Sequence, residues 1–419
     1  MILEFRCKNF RSIKEEIVFS MLASSDDTNN DFAVVDILDQ KVLKKSILYG
    51  ANGAGKSNFI KSLLFLKSLV VNSQNLMPNA SFNCQPHKLS NDENTSFLIH
   101  FIDRNHTRFV YNLVLNAKRV EEESLYYYPN GRITKIFSRA GLEISTPSFK
   151  SQFNFVANQT LKENRLFLSC AAKDSNVAEI TDAYTFFNDD LIFYPTDDVF
   201  PNDNWRLYSA KKAEVDKNLN DLFVRFNNDL GSTNLVGLES SVKSRTIDEK
   251  MIPPFLDETT KKQMLQQQFN EVNVNFIYSK FAIRLEEESL GNKKLFEMFF
   301  PLIDVIRHGK VFICDEFERS LHPLVVQKLI EIVSRNQTNA QFILTTHDVG
   351  LLNPELFRRD EVWFAEMKDQ NRSTDIYSLA ELKAIRKGEI YSRNYILGKY
   401  SSIPIISSDL KKLLLGENE

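Results

Sequence analysis

Lys56 and Ser57 close the string GANGAGKS, residues 50–57, whose G-x-x-x-x-G-K-S spacing is that of a loop built to hold a polyphosphate. Gly50, Gly53 and Gly55 permit the backbone bends that turn successive N–H groups toward phosphate oxygens, with Asn52 and Ala54 between them and Asn58 just after. Lys56 supplies positive charge for the β- and γ-phosphates, and Ser57 can ligate Mg²⁺. A chance match in a glycine-containing turn is the plain alternative, and the flanking residues argue against it. KSILYG is a short apolar strand entering the loop, and SNFIKSLLFLKSL leaves it at helical spacing, with Phe59, Leu63 and Leu66 on one face.

Two further strings carry chemistry of the same kind. The apolar strand Val311 to Cys314 ends in Asp315 and Glu316. The first carboxylate suits the hydration shell of Mg²⁺, and the second can polarise an attacking water as general base. Taken alone, a buried strand ending in acidic turn residues reads equally well, and its pairing with the phosphate loop favours the chemistry. The strand Phe342 to Leu344 ends in Thr345, Thr346 and His347. His347 could contact a γ-phosphate and hold the attacking water, because ligands gather at the carboxyl edge of a parallel sheet. In isolation it reads as a histidine capping the next helix. Ser289, Gly291 and Asn292 open a helix whose Leu295, Met298 and Phe299 share a side, so its N-terminus could bind an anion, a plain serine N-cap being the alternative.

The elements that must position these residues are legible from periodicity. ILEFRCKNF and EEIVFSM alternate and predict an opening β-hairpin. SFLIHFI, TRFVYNLVL, RVEEESLYYY and GRITKIFSR predict an antiparallel meander, with Glu121, Glu122 and Glu123 on a solvated edge. Helical patterns dominate from Gln159 to about Asn228, interrupted by the strand LIFY. Between Asp229 and Phe276 the chain is polar, holds the turn-like MIPPFLD, and includes ETTKKQMLQQQFNEVN, a short helix candidate; this is the expected insertion. It shows no sustained heptads, and the chain carries no internal repeat.

Composition bounds the rest. The chain has 419 residues and is 43% hydrophobic, enough for a sizeable core, and its net charge of -3 carries no global signal for nucleic acid. Cys7, Cys84, Cys170 and Cys314 form no C-x-x-C pair, which argues against a zinc site or a disulfide framework. No apolar run approaches the roughly 20 residues of a membrane span, and MILEFRCKNF lacks the order of a signal peptide. The expectation is a cytoplasmic protein without membrane partners.

With these strings in order, the sequence resembles ATPases of the ABC class, in the SMC/RecF-like branch. GANGAGKS is similar to Walker A, ESLGNKK to the signature motif, VFICDE to Walker B, RSLHP to the D-loop and TTHD to the H-loop. The resemblance spans nearly the whole chain, and the signature departs furthest from the family's L-S-G-G-Q. Closer still, FRCKNFRSIKEE, YGANGAGKSNFIKSL, ESLGNKKLF, DEFERSLHPLVVQKLI, FILTTHD and GKYSSIP together resemble the RloA/AbiL-type AAA ATPases of bacterial anti-phage systems, including the PARIS ATPase and some retron-associated ones. In that family the tail tends to read G-x-[YF]-G-A-I-P, and here Ser401 and Ser402 replace the small pair. The class usually has a Q-loop glutamine, by position near NRLFLSCAAK, where none stands; Gln85 and Gln159 are the nearest.

The resemblance implies an α/β fold, an ABC-type P-loop NTPase with a mixed β-sheet core, an antiparallel β lobe and a helical insertion. It implies one ATPase domain over 1–419, divided into an N-terminal lobe 1–158, a helical region 159–276 with an insertion at about 229–276, and a C-terminal lobe 277–419. ATP with Mg²⁺ would lie between the Walker A loop of one protomer and Ser289 and Gly291 of another. Binding would close a homodimer or higher assembly, and hydrolysis by Glu316 would reopen it.

Three functions stay open on the residues. The first is an ATPase sensor-scaffold in antiviral defence controlling a separate nuclease or toxin, since about 70 residues after His347 are too few for the nuclease domain fused to some relatives. The second is a RecF/SMC-like DNA-repair ATPase, for which the long coiled coil or strongly basic face is missing. The third is a nucleotide-loaded scaffold with little turnover, against which the Asp315–Glu316 pair stands. Partner surfaces are expected at the 229–276 insertion and at the tail KGEIYSRNYILGKYSSIP, where Lys387, Arg393 and Lys399 interleave with Tyr391, Tyr395 and Tyr400; a docked C-terminal helix and strand is the plainer reading.

Overall fold

The computed structural model describes residues 1–194, 203–230, 234–246, 261, 268–368, 370–382 and 389–404. The chain forms two compact units, one of Met1–Phe193, His308–Glu318 and Gln327–Glu419, the other of Tyr194–Arg307 and Arg319–Val326.

In the first unit, period-2 alternation produces the expected strands. Ile2–Lys8 and Ile17–Ser20 pair antiparallel as the opening hairpin. Thr95–Ile102, Arg108–Leu115, Val120–Tyr127 and Thr134–Ala140 form the meander, extended by Glu143–Ser145. Hairpin and meander are parts of one seven-stranded antiparallel sheet, because Ile2–Lys8 pairs on its other edge with Thr95–Ile102. That junction links residues about ninety positions apart, beyond the reach of any local pattern.

The expectation for the three glutamates is corrected at Glu123. Alternation turns Glu123 to the core side with Leu125, and its side chain is fully buried. Its carboxylate accepts hydrogen bonds from the backbone N–H groups of Phe167 (2.6 Å) and Leu168 (2.9 Å), the Tyr111 hydroxyl (3.0 Å) and Arg139 Nη1 (3.4 Å). The helix Phe167–Asp174 has no side-chain cap of its own, and Glu123 serves its N-terminal donors from the sheet.

The second sheet of this unit runs Leu191–Tyr194, Val311–Cys314, Gln341–Thr345, Lys45–Tyr49, Val362–Lys368, Ser373–Ser378. Val311–Cys314, Gln341–Thr345, Lys45–Tyr49 and Val362–Lys368 are parallel, and Ser373–Ser378 closes the edge antiparallel. Every residue of the first three is buried, as a parallel strand covered on both faces requires. The helix Lys56–Asn72 buries Phe59, Leu63 and Leu66, the face expected from spacing. Phe19 of the antiparallel sheet packs between Phe59 of this helix (ring centroids 5.0 Å) and Trp363 of the parallel strands (4.8 Å), so one row of tilted aromatic rings ties the three layers.

The second unit packs the helices Asp203–Val215, Lys217–Asp229 and most of Leu290–His308 with the antiparallel strands Leu235–Thr246, Gln268–Tyr278 and Ala282–Arg284. Phe223 is buried in a cage of Phe276, Phe296, Phe299 and Phe300, with ring centroids 5.3–6.0 Å apart. The short helix expected within 258–273 is corrected where it is described: Gln268–Asn273 belong to a strand paired with Leu235–Thr246. Val272, Val274 and Phe276 recur at period 2 and face this core, and that β-branched and aromatic alternation outweighs the helical look of the polar residues before it. Of the rest of that segment only Lys261 is described, in helical conformation, and the other residues lie outside the described ones. No helix among the described residues is long and apolar enough to cross a membrane.

Candidate active site

The sheet order decides the site. Because Lys45–Tyr49 lies beside Gln341–Thr345, which lies beside Val311–Cys314, three strands parallel to one another end side by side. Their exits are the glycine loop, Asp315–Glu316 and Thr346–His347. Asn52, Gly53, Gly55, Lys56, Ser57, Asn58, Asp315, Glu316 and His347 line one cavity of about 390 Å³. Residues separated by about 290 positions thus line one cavity, which holds a lysine, a serine, a histidine and two carboxylates.

Within the loop, Gly55 has φ +105°, and a Cβ there would collide with the Thr374 side chain. At Gly50 a Cβ would stand 2.6 Å from the Ala365 carbonyl oxygen. Close approach, as well as conformational freedom, therefore demands glycine at both. A Cβ at Gly53 would meet nothing within 4 Å, so the crest of the loop faces open space. Lys56 opens the helix, and its ammonium donates to the carbonyls of Gly50 (2.7 Å) and Ala51 (3.3 Å). Burial lowers the Lys56 pKa to about 8, against the pull of Asp315, Glu318 and Glu316. The N–H groups of the first helical turn have no intrahelical acceptors, and with the lysine they make an anion cradle.

The carboxylate side is held by Thr345. Its hydroxyl donates to Asp315 Oδ1 and accepts from the Glu316 N–H (2.9 Å), while the Phe317 N–H donates to its carbonyl (3.0 Å). Glu316 turns at φ +48°, a bend pinned on both sides by these bonds. His347 donates its backbone N–H to Glu318 Oε1 at 2.7 Å. Burial and the Lys56 charge hold its imidazole below the usual histidine range. Glu318 Oε2 is buried without a hydrogen-bond partner among the described residues. Sequence reading passed over Glu318 because nothing in DEFER distinguishes it from a solvated acid.

Sequence reading also missed the buttress under the loop. Thr374 Oγ1 donates to the Ala54 carbonyl (3.0 Å) and lies 2.7 Å from Ser12 Oγ, which accepts from Asn58 Nδ2 (2.7 Å). On the other side the Ala51 N–H donates to the Ser402 carbonyl (3.1 Å). Asn58 also borders a second cavity of about 550 Å³, whose lining includes Arg11, Ser12, Gln85, Lys88 and Arg372. Arg11 Nε is buried without a hydrogen-bond partner among the described residues. Gln85, one of the two glutamines considered for the Q-loop, borders this second cavity, and Gln159 borders neither.

Ser289 and Gly291 belong to the other compact unit. There Ser289 Oγ accepts from the Asn292 N–H (3.2 Å), the geometry of a serine N-cap, and Gly291 packs so closely that a Cβ would stand 3.0 Å from the Ser320 carbonyl. In the tail, Tyr391, Tyr395 and Tyr400 are buried, so these aromatics dock on their own unit; Lys387 lies outside the described residues.

The family model described as "AAA domain, putative AbiEii toxin, Type IV TA system" matches residues 45–353. The chain belongs to this family. The matched stretch contains every residue of the first cavity, from Asn52 to His347. No curated protein matches this AAA chain. Similar solved structures include an SMC head bound to the C-winged helix domain of ScpA, at 14% identity and TM-score 0.41, covering 91% of this chain and 98% of that one. The SMC head domain from Thermotoga maritima is 14% identical with TM-score 0.39 (90% and 98% covered). An SMC head domain with an extended coiled coil, bound to the C-terminal domain of ScpA derived from Pyrococcus furiosus, is 13% identical with TM-score 0.39 (95% and 99% covered).

Proposed function

We propose that the chain binds and hydrolyses ATP, as the slow, partner-regulated switch of a bacterial anti-phage defence system acting through a separate nuclease or toxin. The observation that carries the ATPase reading is the single cavity that joins Lys56 and Ser57 to Asp315, Glu316 and His347. The triphosphate lies along the glycine loop, and the nucleoside extends past Asn58 into the cavity of Arg11 and Ser12. Glu316 takes the proton of the attacking water, and His347 orients that water against the γ-phosphate. Lys56 exchanges its bonds to the Gly50 and Ala51 carbonyls for phosphate oxygens, a charge-assisted contact stronger than the one it leaves.

The residues also fit a magnesium ion. Ser57 Oγ and Asp315 would hold it, since Asp315 Oδ1 is engaged by Thr345 and Oδ2 makes no hydrogen bond among the described residues. When bound, the ion neutralises phosphate charge. Asp315, held by Thr345 through Oδ1, would offer its other carboxylate oxygen to the ion.

The family description and the resemblance of the motifs support the defence reading. Under it, Ser289 and Gly291 of a second copy complete the ATP site, so that nucleotide joins two protomers. The test is steady-state phosphate release by the purified chain beside Glu316→Gln. Turnover by the wild type alone supports the assignment. Release by both variants alike would remove Glu316 from the mechanism. Stimulation by DNA would instead favour the repair-ATPase reading.

A further inference from the structure

The described C-terminal segment, residues 389–404, touches the phosphate loop at one peptide. Ser401 and Ser402 both adopt φ +56°, a left-handed turn that serine enters at a cost. The turn aims the Ser402 carbonyl at the loop, where it accepts from the Ala51 N–H (3.1 Å) and also from the Tyr395 hydroxyl (3.0 Å). The Ser402 hydroxyl donates to the Ala365 carbonyl, the same oxygen that excludes a side chain at Gly50. Tyr377 clamps the preceding residue, its hydroxyl donating to the Tyr400 carbonyl (2.6 Å), and Tyr400 itself is buried.

Ala51 is the peptide on which the loop's shape depends. Its carbonyl accepts from the Ala54 N–H (3.1 Å) and from Lys56 Nζ (3.3 Å), so both the bend of the loop and the resting place of the lysine are referred to it. The loop is thus pinned twice, at Ala54 by Thr374 and at Ala51 by Ser402. Two consecutive non-glycine residues in the left-handed region cost free energy, and here the bonds of Ser402 to Ala51, Tyr395 and Ala365 hold them in place.

We infer that Ser402 is a positioning residue for nucleotide binding, holding Ala51, and through it the phosphate loop, in the shape that receives phosphate. The turn conformation and the carbonyl do this, and the hydroxyl only locks the turn in place. The C-terminal segment is therefore a strap on the loop, and displacing it loosens the site without touching Glu316 or His347. This rests on the nucleotide reading above.

The experiment compares Ser402→Pro, whose ring forbids positive φ, with Ser402→Gly, which keeps the turn and the carbonyl but loses the hydroxyl. Mg-ATP affinity is read by equilibrium binding of a fluorescent ATP, and the peptide covering residues 48–54 is followed by hydrogen–deuterium exchange in nucleotide-free full-length protein. Ser402→Pro is expected to weaken ATP binding by about tenfold or more and to speed exchange at Ala51. Ser402→Gly is expected to stay within about threefold of wild type in both. Tyr395→Phe, a milder change, should give a smaller shift in the same direction. Unchanged affinity and exchange in folded Ser402→Pro would overturn the inference, as would equal losses in the proline and glycine variants. Failure of the wild type to bind ATP would sink the nucleotide reading itself, whereas faster exchange at Ala51 would still mark the strap.

Discussion

Glu318 Oε1 accepts a 2.7 Å hydrogen bond from the backbone N–H of His347. The two residues lie on the exits of neighbouring parallel strands, so the bond fixes how far the His347 turn stands from the Asp315–Glu316 turn. Glu318→Ala should lower the rate of phosphate release by roughly 10- to 100-fold, the scale of a small misplacement of a catalytic group. Glu318→Gln keeps an acceptor oxygen and should retain most of the rate. Single-turnover measurements on ATP-saturated protein check this, and equal rates in all three would deny Glu318 a role.

Glu316→Gln preserves size and the Thr345 contacts of the backbone while removing the proposed base. Phosphate release should fall by about 10²-fold or more with ATP binding intact. If two copies sandwich the nucleotide, this variant accumulates as an ATP-loaded dimer. Light scattering with and without Mg-ATP reads that directly, and the same mass in both conditions would count against the sandwich.

Nucleotide binding should weaken as pH rises above about 8. Burial lowers the Lys56 pKa to about 8 in the free protein, and phosphate at the site raises it, because an opposite charge favours the ammonium. The bound state therefore holds a proton that the free state has lost, and binding takes one up between the two values. Affinity is pH-independent below this window and falls through it by up to about tenfold per unit. Titration calorimetry at pH 7 and 9 in buffers of different ionisation heat checks the proton count. Lys56→Ala should bind weakly at both and show no such slope.

Glu123 is fully buried and serves four donors, so Glu123→Ala strands Arg139 and the first N–H groups of helix Phe167–Asp174. A loss of roughly 3–5 kcal/mol is expected, the range for breaking a buried ion pair by removing one partner. Urea unfolding of the two proteins measures it. A change below about 1 kcal/mol would show that water replaces the carboxylate.

The sequence by itself determined the glycine loop with Lys56 and Ser57, the acids ending Val311–Cys314 and the histidine after Gln341–Thr345, because each depends on spacing within one element and its exit turn. It also determined the opening hairpin and the meander, whose side chains alternate with a period the solvent imposes. It misled where a local cue competed with packing, at Glu123, whose charge suggested solvent, and at Gln268–Asn273, whose polarity suggested a helix. Only the tertiary structure decided that Lys45–Tyr49 enters the sheet between Gln341–Thr345 and Val362–Lys368. That insertion brings Ser12, Glu318, Thr374 and Ser402 to the site, the last two more than 300 residues after the loop they hold. Their contacts run through single hydroxyls, carboxylates and carbonyls across the sheet. Such contacts leave no periodicity along the chain, and closing the sheet is what creates them.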